Sequence, residues 1–130
     1  MKKLIIGLVV CLFAIPISLV AHHAFAAEFD INKPVKVQGA VAKIEWTNPH
    51  IWIYLDAKDE AGKLTRWQCE GGSPNTLTRQ GWAKDTLKEG DQVVIDGYRA
   101  KDGSNTCNSR TVTTGSGKRL FAGSSAESAR

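Results

Sequence analysis

The chain lacks the short motifs that mark most catalytic and zinc-binding proteins. Its three cysteines form no CxxC pair, which argues against a zinc ribbon or a thioredoxin-like redox site. It contains no HExxH and no serine in a nucleophile elbow. No spacing pairs the carboxylates Glu45, Asp56 and Glu70 into an acid–base couple. The sequence therefore indicates no reaction class and favours a protein that is not an enzyme.

Basic runs are also missing beyond the N-terminus. The formal net charge is +4, but Lys2 and Lys3 lie in a segment that we expect to be removed. Without them 15 basic residues face 13 acidic ones, which leaves a net charge of +2. This small excess does not indicate a nucleic-acid partner.

The long apolar run of the chain lies at its N-terminus. Residues 4–20 follow two lysines, contain Pro16 and end at Ala21, a pattern typical of a secretory signal peptide over residues 1–21. A membrane anchor is the alternative, but the run is marginal in length for a span. We therefore expect a periplasmic or secreted protein that has no membrane attachment once the signal is cleaved.

The cleavage point decides the mature N-terminus. Cleavage after Ala21, where the apolar run ends, would make His22 the first residue. Cleavage after Ala26 fits the small-x-small pattern and would remove both His22 and His23. We favour cleavage after Ala21.

The stretch WTNPHIWIYLD, from Trp46 to Asp56, is the most informative part of the chain. After the turn signal Asn48-Pro49, the apolar residues Ile51, Ile53 and Leu55 alternate with aromatic or polar ones. This period of two predicts a strand with one face in the core and one aromatic, polar face left over.

The rest of the chain predicts an all-β domain with one short helix. Ser73 is a typical helix N-cap with Pro74 at the first helical position, and the helix should end near Gln80. A phase change in the first strand, next to Gly39, indicates a bulge or sharp bend. The predicted strands are 35–46, 50–58, 64–70, 92–100 and 108–113, and 118–121 should extend the last hairpin.

This order of elements is that of an OB-like five-stranded Greek-key barrel with the helix between strands 3 and 4. We expect the barrel to occupy residues 35–122, after an irregular arm over 22–34 and before a disordered tail over 123–130. An open β-sandwich or a lipocalin-like barrel fits less well. The predicted core consists of Val37, Val41, Ile51, Ile53, Leu55, Val93, Ile95 and Val112.

The cysteines left after removal of the signal are Cys69 and Cys107. An even pair in an oxidising compartment usually forms a disulfide. Their places on strand 3 and just before strand 5, which are neighbours in an OB-like barrel, predict that these two residues are bridged.

Several motifs together resemble domain-of-unknown-function family 6152, a set of small exported bacterial proteins. They are AHHAFAAEFD, IEWTNPHIWIYLD, EGGSPN, RQGW, KDTLKEGD, GYRAKDGSN and KRLFAGSS. The resemblance covers about His22 to Ser124 and implies a periplasmic location and an OB-like barrel, but no activity. Cys69 and Cys107 depart from the family pattern together, as a disulfide particular to this chain would.

Two candidate sites follow from these patterns. OB barrels bind oligomers on strands 2 and 3, and aromatic side chains stack on sugar rings and grip peptides. A ligand face is therefore predicted from the aromatic stretch and nearby polar residues. Its candidate residues are Trp46, Asn48, His50, Trp52, Tyr54, Asn75, Arg79 and Arg99.

The second candidate is a copper site at His22, His23 and His50. If cleavage exposes His22, its α-amine and imidazole can chelate Cu(II), which prefers tetragonal nitrogen ligation. We thus expect an exported OB-like binding or accessory module whose partner is a small ligand, a glycan, a peptide or a periplasmic protein. The alternative is a periplasmic copper-binding protein built on an N-terminal histidine.

Overall fold

The computed structural model describes residues 25–123, which form an all-β protein with two short helices. The predicted signal peptide and all of the tail beyond residue 123 lie outside the described residues. No helix among residues 25–123 is long and apolar enough to span a membrane. The elements are α1 (25–28), β1 (Phe29–Glu45), β2 (Trp52–Lys58), β3 (Leu64–Glu70), α2 (Pro74–Arg79), β4 (Gln92–Ala100), β5 (Thr106–Thr114) and β6 (Arg119–Phe121).

The six strands form one sheet in the order β3-β2-β1-β4-β5-β6. Neighbours in this order are antiparallel, and β3 also pairs with β5 in parallel. Strands β1 to β5 therefore close into a ring, and β6 extends the ring from β5. The predicted all-β class is confirmed, and the predicted bounds of β3 and β4 agree with the structure.

The ring closes at a disulfide. Cys69 on β3 pairs with Cys107 on β5, and their Cα atoms are 4.5 Å apart in a Cys69–Cys107 bridge. Both cysteines are fully buried. The predicted disulfide is confirmed, and its burial indicates a compartment other than the reducing cytoplasm.

The core fills the interior of the ring. All eight predicted core residues are buried, with exposed fractions of 3% or less. At one end the core continues into Leu77 of α2 and Trp82, whose indole N–H donates to the Phe121 carbonyl at 2.8 Å. Helix α2 begins where expected, since Ser73 Oγ accepts a hydrogen bond from the Thr76 amide.

The bend in β1 lies three residues beyond its predicted position. The pairing with β2 shifts register between Val41 and Lys43, so the extra residue is Ala42 rather than a residue beside Gly39. Gly39 has a different role, because a Cβ there would lie 2.3 Å from the Asp56 carbonyl oxygen. The bulge turns Ile44 towards the core, where the alternation from Val37 and Val41 would have placed it outside.

The prediction of an irregular arm is wrong from Phe29 onwards. Residues 29–34 belong to β1, and Phe29 pairs with Ala100 of β4 and is 3% exposed. The ring of Phe25 lies 5.7 Å from that of Phe29 and 5.9 Å from that of Tyr98. Burial of Phe29, together with these ring contacts, holds the chain on β4, although residues 29–34 carry no alternating pattern.

Candidate ligand-binding face

Strand β2 places its aromatic side chains on the outside of the ring. Because Ile53 and Leu55 point into the core, Trp52 and Tyr54 point out, and both are half-buried. The register puts Trp52 between Glu45 and Glu70, and Tyr54 between Lys43 and Gln68. We call this surface the β1–β3 outer face. It consists of Lys43, Glu45, His50, Trp52, Tyr54, Gln68 and Glu70.

On its β1 side, the face is held by one linked set of contacts. Lys43 Nζ lies 2.7 Å from Glu45 Oε1 and 5.5 Å from the centre of the Tyr54 ring. The Tyr54 hydroxyl donates to Glu45 Oε2 at 3.2 Å. The hydrogen bond from Lys43 lowers the pKa of Glu45, and burial followed by the bond to Glu45 raises the pKa of Tyr54. The face therefore presents an ionised carboxylate beside a neutral phenol at neutral pH.

On its β3 side, the face is held through His50. His50 Nδ1 lies 3.1 Å from the Gly71 carbonyl oxygen and 3.3 Å from Glu70 Oε1. Backbone hydrogen bonds hold the chain beside His50 against the end of β3. The Ile51 amide donates to the Gly72 carbonyl at 3.0 Å, and the Gly71 amide donates to the Ile51 carbonyl at 2.9 Å. His50 and Trp52 lie on the same side because Ile51 between them is fully buried.

Two polar side-chain pairs lie near Trp52 and Tyr54, which we call the aromatic pair. One pair joins β3 to β5, and the other joins β3 to β2. Gln68 Nε2 donates to Thr106 Oγ1 at 3.1 Å across the parallel pairing. Further along β2, Arg66 of β3 binds Asp56 through two hydrogen bonds of 2.6 and 3.3 Å. The hydrogen bond to Asp56 raises the pKa of Arg66, so the guanidinium stays charged beside this carboxyl group.

The structure places His50, Trp52 and Tyr54 on the outer face and the other predicted ligand residues on different segments. Trp46 packs against the core, because the Ala42 bulge turns the end of β1 inward. Asn48 lies in the exposed turn before β2, at a cis peptide bond to Pro49. Asn75 and Arg79 lie on α2, the helix that follows β3.

Arg99 lies on β4, beside the turn that follows this strand. Its guanidinium donates to the Ser104 carbonyl at 3.1 Å and the Gly103 carbonyl at 2.7 Å, and it stacks 5.3 Å from the Trp67 ring. These contacts stabilise the turn after β4. Arg99 thus has a structural use that the sequence did not indicate.

The outer face also contains residues that sequence reasoning did not assign to it. Glu45, Gln68 and Glu70 flank the aromatic pair, but they lie on β1 and β3 rather than on β2. A symmetric hairpin around the 59–63 loop would have predicted the pairing of Trp52 with Glu70. The position of Glu45 depends on the bulge and had no comparable signal.

The predicted copper site is only partly within the described residues. His22 and His23 lie outside residues 25–123, and His50 is on the outer face. Among the residues that the structure describes, no group of three His, Cys, Asp or Glu side chains could hold a metal ion. The copper prediction therefore stays a prediction.

The ring and its outer face define a small all-β protein whose candidate binding residues lie mainly on strands. The family model of DUF6152, described as a family of unknown function, matches residues 9–109, and the chain belongs to that family. No curated protein matches the chain.

Among solved structures, a chain from the crystal structure of a TiaS–tRNA–ATP complex is similar at 19% identity and a TM-score of 0.46. The match covers 62% of this chain and 18% of that chain. This similarity is too small to support an inference about function.

Proposed function

We propose that this protein is an exported, non-enzymatic OB-like module that binds an extended glycan on the β1–β3 outer face. The order of pairing around the ring, β1-β2-β3-β5-β4, supports an OB-like barrel, as does the position of α2 between β3 and β4. OB barrels bind oligomers across strands 2 and 3, where the outer face lies.

The observation that carries the proposal is the register of Trp52 beside the carboxylate of Glu45 on the outer face. Glu45 stands opposite Trp52 on β1, and Tyr54 follows on the same strand as Trp52. Glu70, opposite Trp52 on β3, is only 8% exposed and contacts His50 instead. An indole stacks on the C–H face of a sugar ring, while carboxylates and amides accept hydrogen bonds from its hydroxyls. A hydroxyl-rich ligand uses both features, and an extended peptide is the alternative ligand.

Export is supported by two independent features. The predicted signal peptide over residues 1–21 would send the chain out of the cytoplasm, and the buried Cys69–Cys107 bridge is of the kind that persists in oxidising compartments. We propose the periplasm, where glycans and peptides are the available oligomers.

The test is a titration of the exported protein with oligosaccharides and with peptides of similar length, followed by two-dimensional NMR. We expect an oligosaccharide to shift amide signals on β1–β3. Trp52→Ala should weaken its binding at least about fivefold, since stacking on one aromatic is worth roughly 1–3 kcal/mol. Leu64→Ala, at an exposed leucine on the same sheet, is the matched control. Shifts confined to other strands, or equal binding by Trp52→Ala, would rule the proposal out.

A copper-binding function is the second candidate, and the contacts of His50 favour it. Metal-ligating histidines commonly donate their other ring N–H to a carboxylate or a carbonyl, as His50 does towards Glu70 and Gly71. The site would be completed by the α-amine and imidazole of His22 at a mature N-terminus. No step of the glycan proposal depends on it.

This second candidate is tested by Cu(II) titration of the mature protein. Cu(II) binding should weaken as pH falls through the range in which imidazoles are protonated, about 6.5. His22→Ala should remove most of the copper affinity. A protein with one extra residue before His22 keeps every imidazole but blocks the terminal amine. Equal copper affinity in that extended protein would exclude the terminal chelate.

A further inference from the structure

The ring of His50 is surrounded in a way that determines where its proton lies. Nδ1 is 3.1 Å from the Gly71 carbonyl oxygen, which can only accept a hydrogen bond. The same nitrogen is 3.3 Å from Glu70 Oε1. Two oxygen acceptors at one nitrogen require that nitrogen to carry the hydrogen. A neutral His50 therefore has its proton on Nδ1 and a lone pair on Nε2.

The second nitrogen of His50 faces water. The His50 side chain is 38% exposed. Among residues 25–123, Ser109 Oγ is the only buried side-chain N or O atom that has no hydrogen-bond partner, so His50 Nε2 is not such an atom. Nε2 has no hydrogen-bond partner among the described residues, so it must reach the solvent. It does so two residues before Trp52, on the same side of the chain.

We infer that His50 is locked as the Nδ1–H tautomer and that its Nε2 accepts a hydrogen bond from a hydroxyl of the ligand stacked on Trp52. The ligand contact rests on the proposed function, but the tautomer does not. Gly71 and Glu70 act as positioning groups, because they orient the ring without touching the ligand. The unprotonated Nε2 of this tautomer thus adds an acceptor beside Trp52, and the face selects a hydrogen-bond donor at that point.

The tautomer is tested on the free protein by long-range ¹H–¹⁵N NMR of the imidazole at neutral pH. A protonated Nδ1 and an unprotonated Nε2 are expected. The opposite pattern, with the hydrogen on Nε2, would overturn the inference whatever the ligand is.

The ligand contact is tested with two variants and the oligosaccharide found by titration. Asparagine at position 50 places its amide N–H near Nδ1, whereas glutamine reaches the position of Nε2 with an amide oxygen. We expect His50→Asn to weaken binding about threefold to tenfold and His50→Gln to keep more of it, as loss of one hydrogen bond predicts. Unchanged melting temperatures would show that both variants are folded.

The outcomes separate the inference from the function. If Trp52→Ala loses binding while His50→Asn binds like the parent, the face binds glycans and the Nε2 contact is wrong. If no saccharide binds the parent protein, the proposed function fails and the ligand contact fails with it. The tautomer is still decided by the spectrum of the free protein.

Discussion

The two faces of β2 are built from neighbouring residues but have different roles. On the inner face Ile53 and Leu55 are fully buried and belong to the core. On the outer face Trp52 and Tyr54 keep part of their surface in water and are flanked by charged or polar side chains in register. The inner face forms the core, whereas the outer face presents aromatic and polar side chains at the surface.

This difference separates the side chains that form the core from those that we propose to bind a ligand. The stability of the ring depends on the buried aliphatic side chains together with one disulfide, because a domain of about 100 residues buries only a limited core. The outer aromatics can be exchanged at modest cost in stability, since half-buried side chains lose less on truncation. Substitutions on the two faces should therefore have separable effects.

The largest effect is expected on the inner face. Ile53→Ala should lower the free energy of unfolding by about 2–5 kcal/mol, because it deletes fully buried methyl groups and leaves a cavity. Urea denaturation measures this change. Leu64→Ala, at a leucine that is 63% exposed on β3, is the control and should change stability by less than about 0.5 kcal/mol. Similar losses in both variants would contradict the division between faces.

The next effect is expected at the closure of the ring. The Cys69→Ala, Cys107→Ala double variant should lose about 2–4 kcal/mol, because the bridge spans 38 residues and restricts the unfolded chain. Thermal unfolding of oxidised, reduced and double-variant protein compares the three states. If reduction leaves the unfolding temperature unchanged, the disulfide does not support the core.

The smallest effect is expected on the outer face and appears as a pKa. The pKa of Glu45 is lowered, first by the hydrogen bond from Lys43 and to a lesser degree by that from Tyr54. Its stabilising effect is therefore present above the ordinary glutamate pKa and is lost as pH falls through the lowered value.

Two variants sharpen this pH prediction. Lys43→Gln should raise the pKa of Glu45 more than Tyr54→Phe does, because the lysine is the larger cause. NMR titration of the Glu45 carboxyl carbon measures both. A larger rise in Tyr54→Phe would show that the tyrosine, rather than the lysine, holds the carboxylate.

Much of the fold is predictable because its signals are local. The alternation of Ile51, Ile53 and Leu55 identifies β2 and its inner face, and Ser73-Pro74 identifies the start of α2. The candidate site is predictable only along β2. Trp46 packs against the core rather than on the outer face because of the Ala42 bulge. Arg99 donates hydrogen bonds to carbonyls of the turn that follows its own strand.

The sequence by itself determined the all-β class, the eight core residues and the pairing of the two cysteines, because these depend on side-chain period and on cysteine number. Only the tertiary structure decided that Glu45 and Glu70 flank Trp52 and that residues 29–34 join β1. Register between distant strands depends on bulges and on the packing of Phe25 and Phe29 against β4, and no local pattern encodes these.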